Sequence, residues 1–128
     1  MTGKCVIVTG GRQYEDAGAV FRVLDRLNAE DEIVLVIEGA SYKVTGEYVG
    51  ADYWAWQWAL ARKKQHVAMP ANWKEYGRAA GPIRNQKMLD RMRPHYVLAF
   101  PGNAGTRSMR DVAVKAGVEV KKAFDWMR

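Results

Sequence analysis

The chain has 128 residues, enough for one domain with its own core, and 48% hydrophobic with 27% charged residues is the make-up of a globular protein, not a disordered or fibrous one. No run approaches the roughly 18 apolar residues of a membrane helix, and the start lacks the basic and apolar regions of a signal peptide, so a cytoplasmic protein without membrane contact is expected. The lone Cys5 excludes an internal disulfide, and a net charge of +6 favours acidic partners, either nucleic acid or a small phosphorylated ligand.

Lys4 to Thr9 reads as a central parallel strand, apolar on both faces, followed by the glycine corner Thr9-Gly10-Gly11-Arg12. Cys5 is then a buried structural thiol. Asp16 is a plausible N-cap for a helix to about Ala29, with Val20, Val23, Leu24 and Leu27 on one face and Arg22, Asp25 and Arg26 towards water. Ile33 to Ile37 is a second apolar strand ending in Glu38-Gly39-Ala40. Ser41 to Tyr48 is polar without a clear period and reads as a mobile surface loop or lid. Gly50-Ala51-Asp52 opens a helix to about Lys64, whose Trp54, Trp58 and Ala61 share a face. Its tryptophans are read as packing the sheet and a subunit interface, which points to a homo-oligomer.

His66 to Met69 is a third strand, stopped by Pro70. Ala71 to Gly81 reads as a loop, and Pro82 then takes the first position of a helix that ends at Pro94. Ile83, Leu89 and Met92 face the core, and Arg84 and Asn85 fall in the first turn. Tyr96 to Phe100 is the fourth strand, running into the glycine loop Pro101-Gly102-Asn103-Ala104-Gly105-Thr106. A helix from about Arg107 to Ala116 and a fifth strand, Val118 to Val120, follow. The tail from Lys121 to Arg128 is expected to dock through Phe124 and Trp126.

This alternation predicts one α/β domain over residues 1–128, a Rossmann-like doubly wound parallel sheet of about five strands with helices on both faces. With strand order 3-2-1-4-5, the order reverses between strands one and four, and ligands bind at such a reversal. The two glycine corners then meet across one crevice. Glycines there let backbone N–H groups converge, and the following helix adds its positive end, an arrangement suited to phosphate. Nothing in the pattern calls for a bound metal, and Mg²⁺ would enter only with a phosphate ligand. His66 and His95 sit at strand starts, on the edge away from the crevice, and read as structural.

Several ordered stretches carry a family resemblance: Val8-Thr9-Gly10-Gly11-Arg12 with Tyr14 and Asp16, Glu38-Gly39 with Gly50-Ala51-Asp52, Ala80-Gly81-Pro82-Ile83-Arg84-Asn85-Gln86-Lys87-Met88-Leu89, and the loop from Pro101 to Thr106. The chain resembles the SLOG superfamily, the Rossmann-like group that includes the LOG and DprA proteins, and most of all its YspA-like branch of bacterial and phage proteins. The resemblance implies a pocket for a nucleotide or an ADP-ribose-like derivative and a sensor or sequestering role. LOG enzymes, which release a base from nucleotides, carry a Glu three residues after the loop Thr. Here Met109 takes that place, and Asn103 stands where their loop has Gly. The segment 41–48 resembles an insertion relative to the branch.

The candidate ligand-binding residues are Thr9, Gly10, Gly11, Arg12, Glu38, Gly39, Asp52, Arg84, Asn85, Pro101, Gly102, Asn103, Gly105 and Thr106. Arg12 offers a fork of donors to a phosphate. Glu38 and Asp52 could bond ribose hydroxyls. They are also the weak candidates for a general base in a rival reading, a nucleotide N-glycoside hydrolase or transferase. Asp52 could equally cap its helix. The second rival, single-stranded nucleic-acid binding in the manner of DprA, draws on the net charge and the tryptophans.

Overall fold

The computed structural model describes residues 3–43 and 45–127. Among them β1 (Lys4–Thr9), α1 (Ala17–Glu30), β2 (Ile33–Glu38), α2 (Gly50–Ala61) and β3 (Gln65–Ala68) are followed by a one-turn α3 (Trp73–Tyr76), α4 (Ala80–Met92), β4 (Tyr96–Ala99), α5 (Ala104–Lys115) and β5 (Glu119–Lys122). The five strands form an all-parallel sheet in the order β3-β2-β1-β4-β5. Successive strands run from β1 outward to β3, and the chain then returns to the other side of β1. The switch point therefore lies between β1 and β4, as the sequence predicts.

Alternation along the strands divides the core. Val6 and Val8 point to one face, where they pack with Val20, Val23, Leu24 and Leu27 of α1 and Ala51, Ala55 and Trp58 of α2. Ile7, Ile37 and Val97 point to the other, against Met88 and Leu89 of α4 and Met109 and Ala113 of α5. Trp58 is fully buried. Its indole N–H donates to Asp25 Oδ1 at 2.8 Å, and Arg62 also donates to Asp25, so the two helices are tied by a polar clamp over an apolar contact.

Several expected boundaries move. The helix α2 stops at Ala61, short of Lys64, because Lys63 turns into the left-handed region at φ 58°. The expected loop 71–81 is mostly helical: α3, a 3-10 turn over Gly77–Ala79 and the start of α4. Pro82 is thus the third residue of α4 rather than the first, a position still free of the need for an N–H donor. Met88 takes the central core position on α4, while Ile83 is only half-buried. The last main helix starts at Ala104, three residues earlier than predicted, so Gly105 and Thr106 sit in its first turn. β5 begins one residue later and runs to Lys122. Trp126 packs on the core, whereas Phe124 stays 67% exposed instead of docking into it. Arg128 lies outside the described residues.

The segment from Ser41 to Tyr48 is not shapeless. Tyr42 and Tyr48 form an antiparallel bridge, and Lys43 N–H donates to Glu47 O at 2.8 Å, making a small hairpin. Val44, within it, lies outside the described residues.

Candidate functional site

The two glycine corners meet, and their first role is packing. Gly11 N–H donates to Pro101 O at 2.8 Å, and a Cβ on Gly11 would stand 3.2 Å from Gly102 Cα. A Cβ on Gly10 would fall 2.5 Å from Ala51 Cβ. Gly50, at φ +77°, presses against the carbonyl of Gly11, which accepts from Ala51 N–H at 3.3 Å. Side chains at these positions would hold the β1 and β4 ends apart. Without them the two strand ends close on each other and set the walls of a cleft of about 240 Å³ between α4, α5 and the loop after β2.

The walls of that cleft are polar and cationic. Asn103 caps α5 without a side-chain bond to the backbone, so the first N–H groups of α5 lack an intrahelical acceptor, and Asn103, Gly105 and Thr106 at this helix start line the cleft. Gly105 lines it, and a Cβ there would meet nothing within 4 Å. Thr106 is 6% exposed, lines the cleft, and its Oγ1 is buried with no hydrogen-bond partner. Burying a hydroxyl unpaired costs about 1–3 kcal/mol. Opposite stand two guanidinium groups. Arg12 lies over the Trp73 ring at 5.7 Å. Arg84 is held from behind by Gly39 O at 2.5 Å, Met69 O at 3.2 Å and Asn85 Oδ1 at 2.8 Å. Burial lowers the Arg84 pKa and the charge of Arg12 adds to this, yet a guanidinium stays charged at neutral pH. Val8, Met88 and Met109 supply the apolar floor.

Asn85 is 3% exposed and fully engaged. Its oxygen accepts from Arg84 Nε, and its nitrogen donates to Ser108 Oγ at 3.2 Å and Gly105 O at 3.4 Å. It locks α4 to α5 and aims Arg84. Asp52 is equally buried and lines the cleft. It does not cap α2, whose N-cap is Val49 without a side-chain bond. Instead it accepts from Ser41 Oγ at 2.7 Å. Burial raises the Asp52 pKa, against the opposing pull of Ser41 and of the Arg84 charge.

Glu38 lies beneath the cleft, fully enclosed. Oε1 accepts from Ala40 N–H at 2.5 Å. Oε2 meets the Tyr48 hydroxyl and His66 Nε2, the latter at 2.6 Å. Burial, and then the charge of Asp52, push the Glu38 pKa up to about 8, while burial pushes His66 down. Both shifts favour the uncharged forms, a carboxylic acid hydrogen-bonded to a neutral imidazole. His66 is not remote from the strand ends as expected. β3 is only four residues long, and His66 pairs with Val36, two residues before Glu38 on the same sheet face. His95 is structural, its Nδ1 accepting from Cys5 N–H at 3.0 Å.

Of the fourteen candidates, Thr9, Gly10, Arg12, Gly39, Asp52, Arg84, Asn85, Asn103, Gly105 and Thr106 line the cleft. Gly11, Pro101 and Gly102 line a shallower depression on the far side of Arg12 and Asn103, and Glu38 lines neither. Sequence reading missed Ser41, Trp73, Gly81 and the methionine floor. Of the five tryptophans only Trp73 is an exposed side chain, at 48%, whereas Trp58 is fully buried. The tryptophan-rich helix is therefore no open stacking face. Among the described residues no group of three or more His, Cys, Asp and Glu side chains could hold a metal ion, and no helix is long and apolar enough to cross a membrane.

An all-parallel 3-2-1-4-5 sheet with a cationic cleft at its switch point defines a Rossmann-like domain. Residues 5–76, more than half of the chain, match the model of the family described as YAcAr, the YspA, cpYpsA-related SLOG family, and the chain belongs to it. That membership suggests nucleotide-related ligand binding. The matched stretch carries the Thr9–Arg12 corner, Gly39 and Asp52, while the α4 and α5 walls lie beyond it. No curated protein matches the chain.

Proposed function

We propose that the protein binds a nucleotide or an ADP-ribose-like nucleotide derivative in the β1/β4 cleft, as a sensing or sequestering module. One observation carries the reading: the hydroxyl of Thr106 is buried without a partner beside Gly102, in the first turn of α5, and residues of that turn line a cleft together with Arg12 and Arg84. A phosphate there supplies an acceptor to the hydroxyl, the helix N–H groups, the Arg12 fork and the Nη2 of Arg84, whose Nε and Nη1 already donate within the protein. Four or five charge-assisted hydrogen bonds of about 1.5–3 kcal/mol each suffice for micromolar affinity, about 8 kcal/mol, after the cost of association. Where LOG enzymes place a carboxylate, Met109 is 1% exposed and part of the apolar core, which supports binding over base release.

A thermal-shift and calorimetric panel of AMP, ADP-ribose, NAD and short single-stranded DNA tests this, with the mixtures then separated by chromatography. A ligand at a hundred times its Kd stabilises by about 2.7 kcal/mol, which in a domain of this size raises Tm by about 10 °C. The expected result is such a shift with intact ligand, lost in Arg84→Ala and in Gly105→Asp. Retention of DNA without any nucleotide shift overturns the reading, and release of free base turns the module into an enzyme.

A further inference from the structure

The cleft does not end at the anion-binding walls. Past Arg12, Ser41 and Trp73 it opens into a second compartment of about 530 Å³. Two large aromatic side chains border this compartment and remain exposed, Tyr42 at 46% and Trp73 at 48%. Pro70 and Ala71 add small apolar surface. Lys43 also reaches it, but its ammonium pairs with Glu47 at 3.4 Å. Arg12 and Arg84 stand at the border of the two compartments and line both; the inner one adds hydrogen-bonding groups, and the outer one adds the aromatic and apolar surface.

Both aromatic walls are braced. Tyr42 packs on Tyr48 with ring centroids 5.1 Å apart, and Tyr48 stacks on Trp56 at 5.2 Å with 17° between planes. The Tyr48 hydroxyl is bonded in turn to the buried Glu38. The hairpin that carries Tyr42 is therefore anchored to the end of β2. On the other side, the edge of Trp73 lies so close over Gly81 that a Cβ there would stand 3.2 Å from the ring, with Arg12 over its face. Exposed aromatic rings held in place beside a phosphate-type site are what a nucleobase stacks on, and little ordering entropy is lost on binding.

Resting on the nucleotide reading above, we propose that Tyr42 and Trp73 form the base-binding compartment of the site. The hairpin 41–48 then determines which ligands the cleft accepts: phosphorylated ribosides that carry a base, in preference to bare sugar phosphates. The anionic part lies against α5, Arg12 and Arg84, and the ring extends outward between the hairpin and α3.

Calorimetry with AMP and with ribose 5-phosphate, which carries an anomeric hydroxyl in place of the base, tests this on the full chain. Wild type is expected to bind AMP more tightly. Tyr42→Ala and Trp73→Ala, both at exposed positions, are each expected to weaken AMP by about five- to a hundredfold, the range for losing one stacked base. In Tyr42→Ala the ribose 5-phosphate affinity stays within twofold, and Trp73→Phe, which keeps a ring under Arg12, restores most of the AMP affinity. Unchanged AMP binding in both alanine variants, with AMP binding still abolished by Arg84→Ala, overturns the base compartment and leaves the nucleotide reading standing. Equal weakening of both ligands in Tyr42→Ala also overturns it, since the ring would then act only by shaping the anion site. If wild type binds neither probe, and neither ADP-ribose nor NAD, both readings fall together.

Discussion

Thr106 shows at the scale of one residue how the proposed ligand site conflicts with stability. Its hydroxyl is buried without a partner, which is unfavourable in the empty protein. Thr106→Val keeps the branched shape and removes the orphan oxygen. The variant is expected to be at least as stable as wild type, gaining up to about 1 kcal/mol, or a few degrees in Tm. It should also bind AMP about tenfold or more weakly, because a charge-assisted bond to phosphate is lost. Paired melting and titration curves check both halves, and a Tm lowered by several degrees would show that the hydroxyl has a partner in the fold. Asn85 presents the opposite case. Both ends of its amide are bonded within the protein, so its contribution is to orient Arg84. Asn85→Ala is expected to weaken AMP by roughly tenfold and also to lower Tm, with about 1–3 kcal/mol at stake for the groups left unpaired.

At the scale of elements, two helices end in the same motif with different residues. After α5, Gly117 takes φ +75°, Val118 N–H donates to Ala113 O at 2.9 Å and Gly117 N–H to Val114 O at 3.1 Å. After α2, Lys63 takes φ 58°, Lys64 N–H donates to Ala59 O at 2.8 Å and Lys63 N–H to Leu60 O at 3.3 Å. These are two Schellman caps, one built on glycine and one bearing the Cβ penalty. Lys63→Gly is expected to stabilise the protein by about 1 kcal/mol, the cost of a left-handed non-glycine residue, as read from urea midpoints. The same comparison explains why the end of α2 is hard to read from sequence: nothing in the basic run marks a stop, since Arg62, Lys63 and Lys64 are all good helix formers. The strands are legible because a central parallel strand is one continuous apolar run, as Val6-Ile7-Val8 and Val34-Leu35-Val36-Ile37 are. The α3 turn does carry a local signal, in the spacing of Asn72 and Glu75. They form a reciprocal cap, with Glu75 N–H donating to Asn72 Oδ1 at 3.1 Å and Asn72 Nδ2 to Glu75 Oε2 at 2.9 Å. Within the site, the glycine corners and Arg84 are legible as local motifs. Trp73, Ser41 and the contact between Glu38 and His66 are not, because each depends on elements that meet only in the folded chain.

The whole molecule couples its site to its stability through protons. Glu38 is buried under the cleft with its pKa pushed up to about 8, against an ordinary value of 4.5. Between those values the folded protein holds a proton that the unfolded chain releases, so stability from this group is complete below about pH 4.5 and falls as pH rises towards 8. Asp52, also raised by burial, acts with the same sign. His66 opposes them: burial lowers its pKa, so the unfolded chain takes up the proton first, and stability falls as pH drops below about 6.5. Well above that pH the imidazole is neutral in both states and the Glu38 effect is unopposed by it. From pH 6.5 to 8 the loss attributable to Glu38 reaches up to about 2 kcal/mol, at about 1.4 kcal/mol per pH unit. Glu38→Gln keeps an acceptor for Ala40 N–H and a donor for His66, but it cannot ionise. Wild type is expected to lose stability over this interval and the variant to lose much less, so the Gln protein gains on wild type as pH rises. Urea unfolding at half-unit steps from pH 6.5 to 8 reads the difference directly. Parallel curves would mean that Glu38 is already ionised in the folded protein, paired with an imidazolium, and that the hairpin is anchored to β2 by charge rather than by a neutral hydrogen-bonded acid.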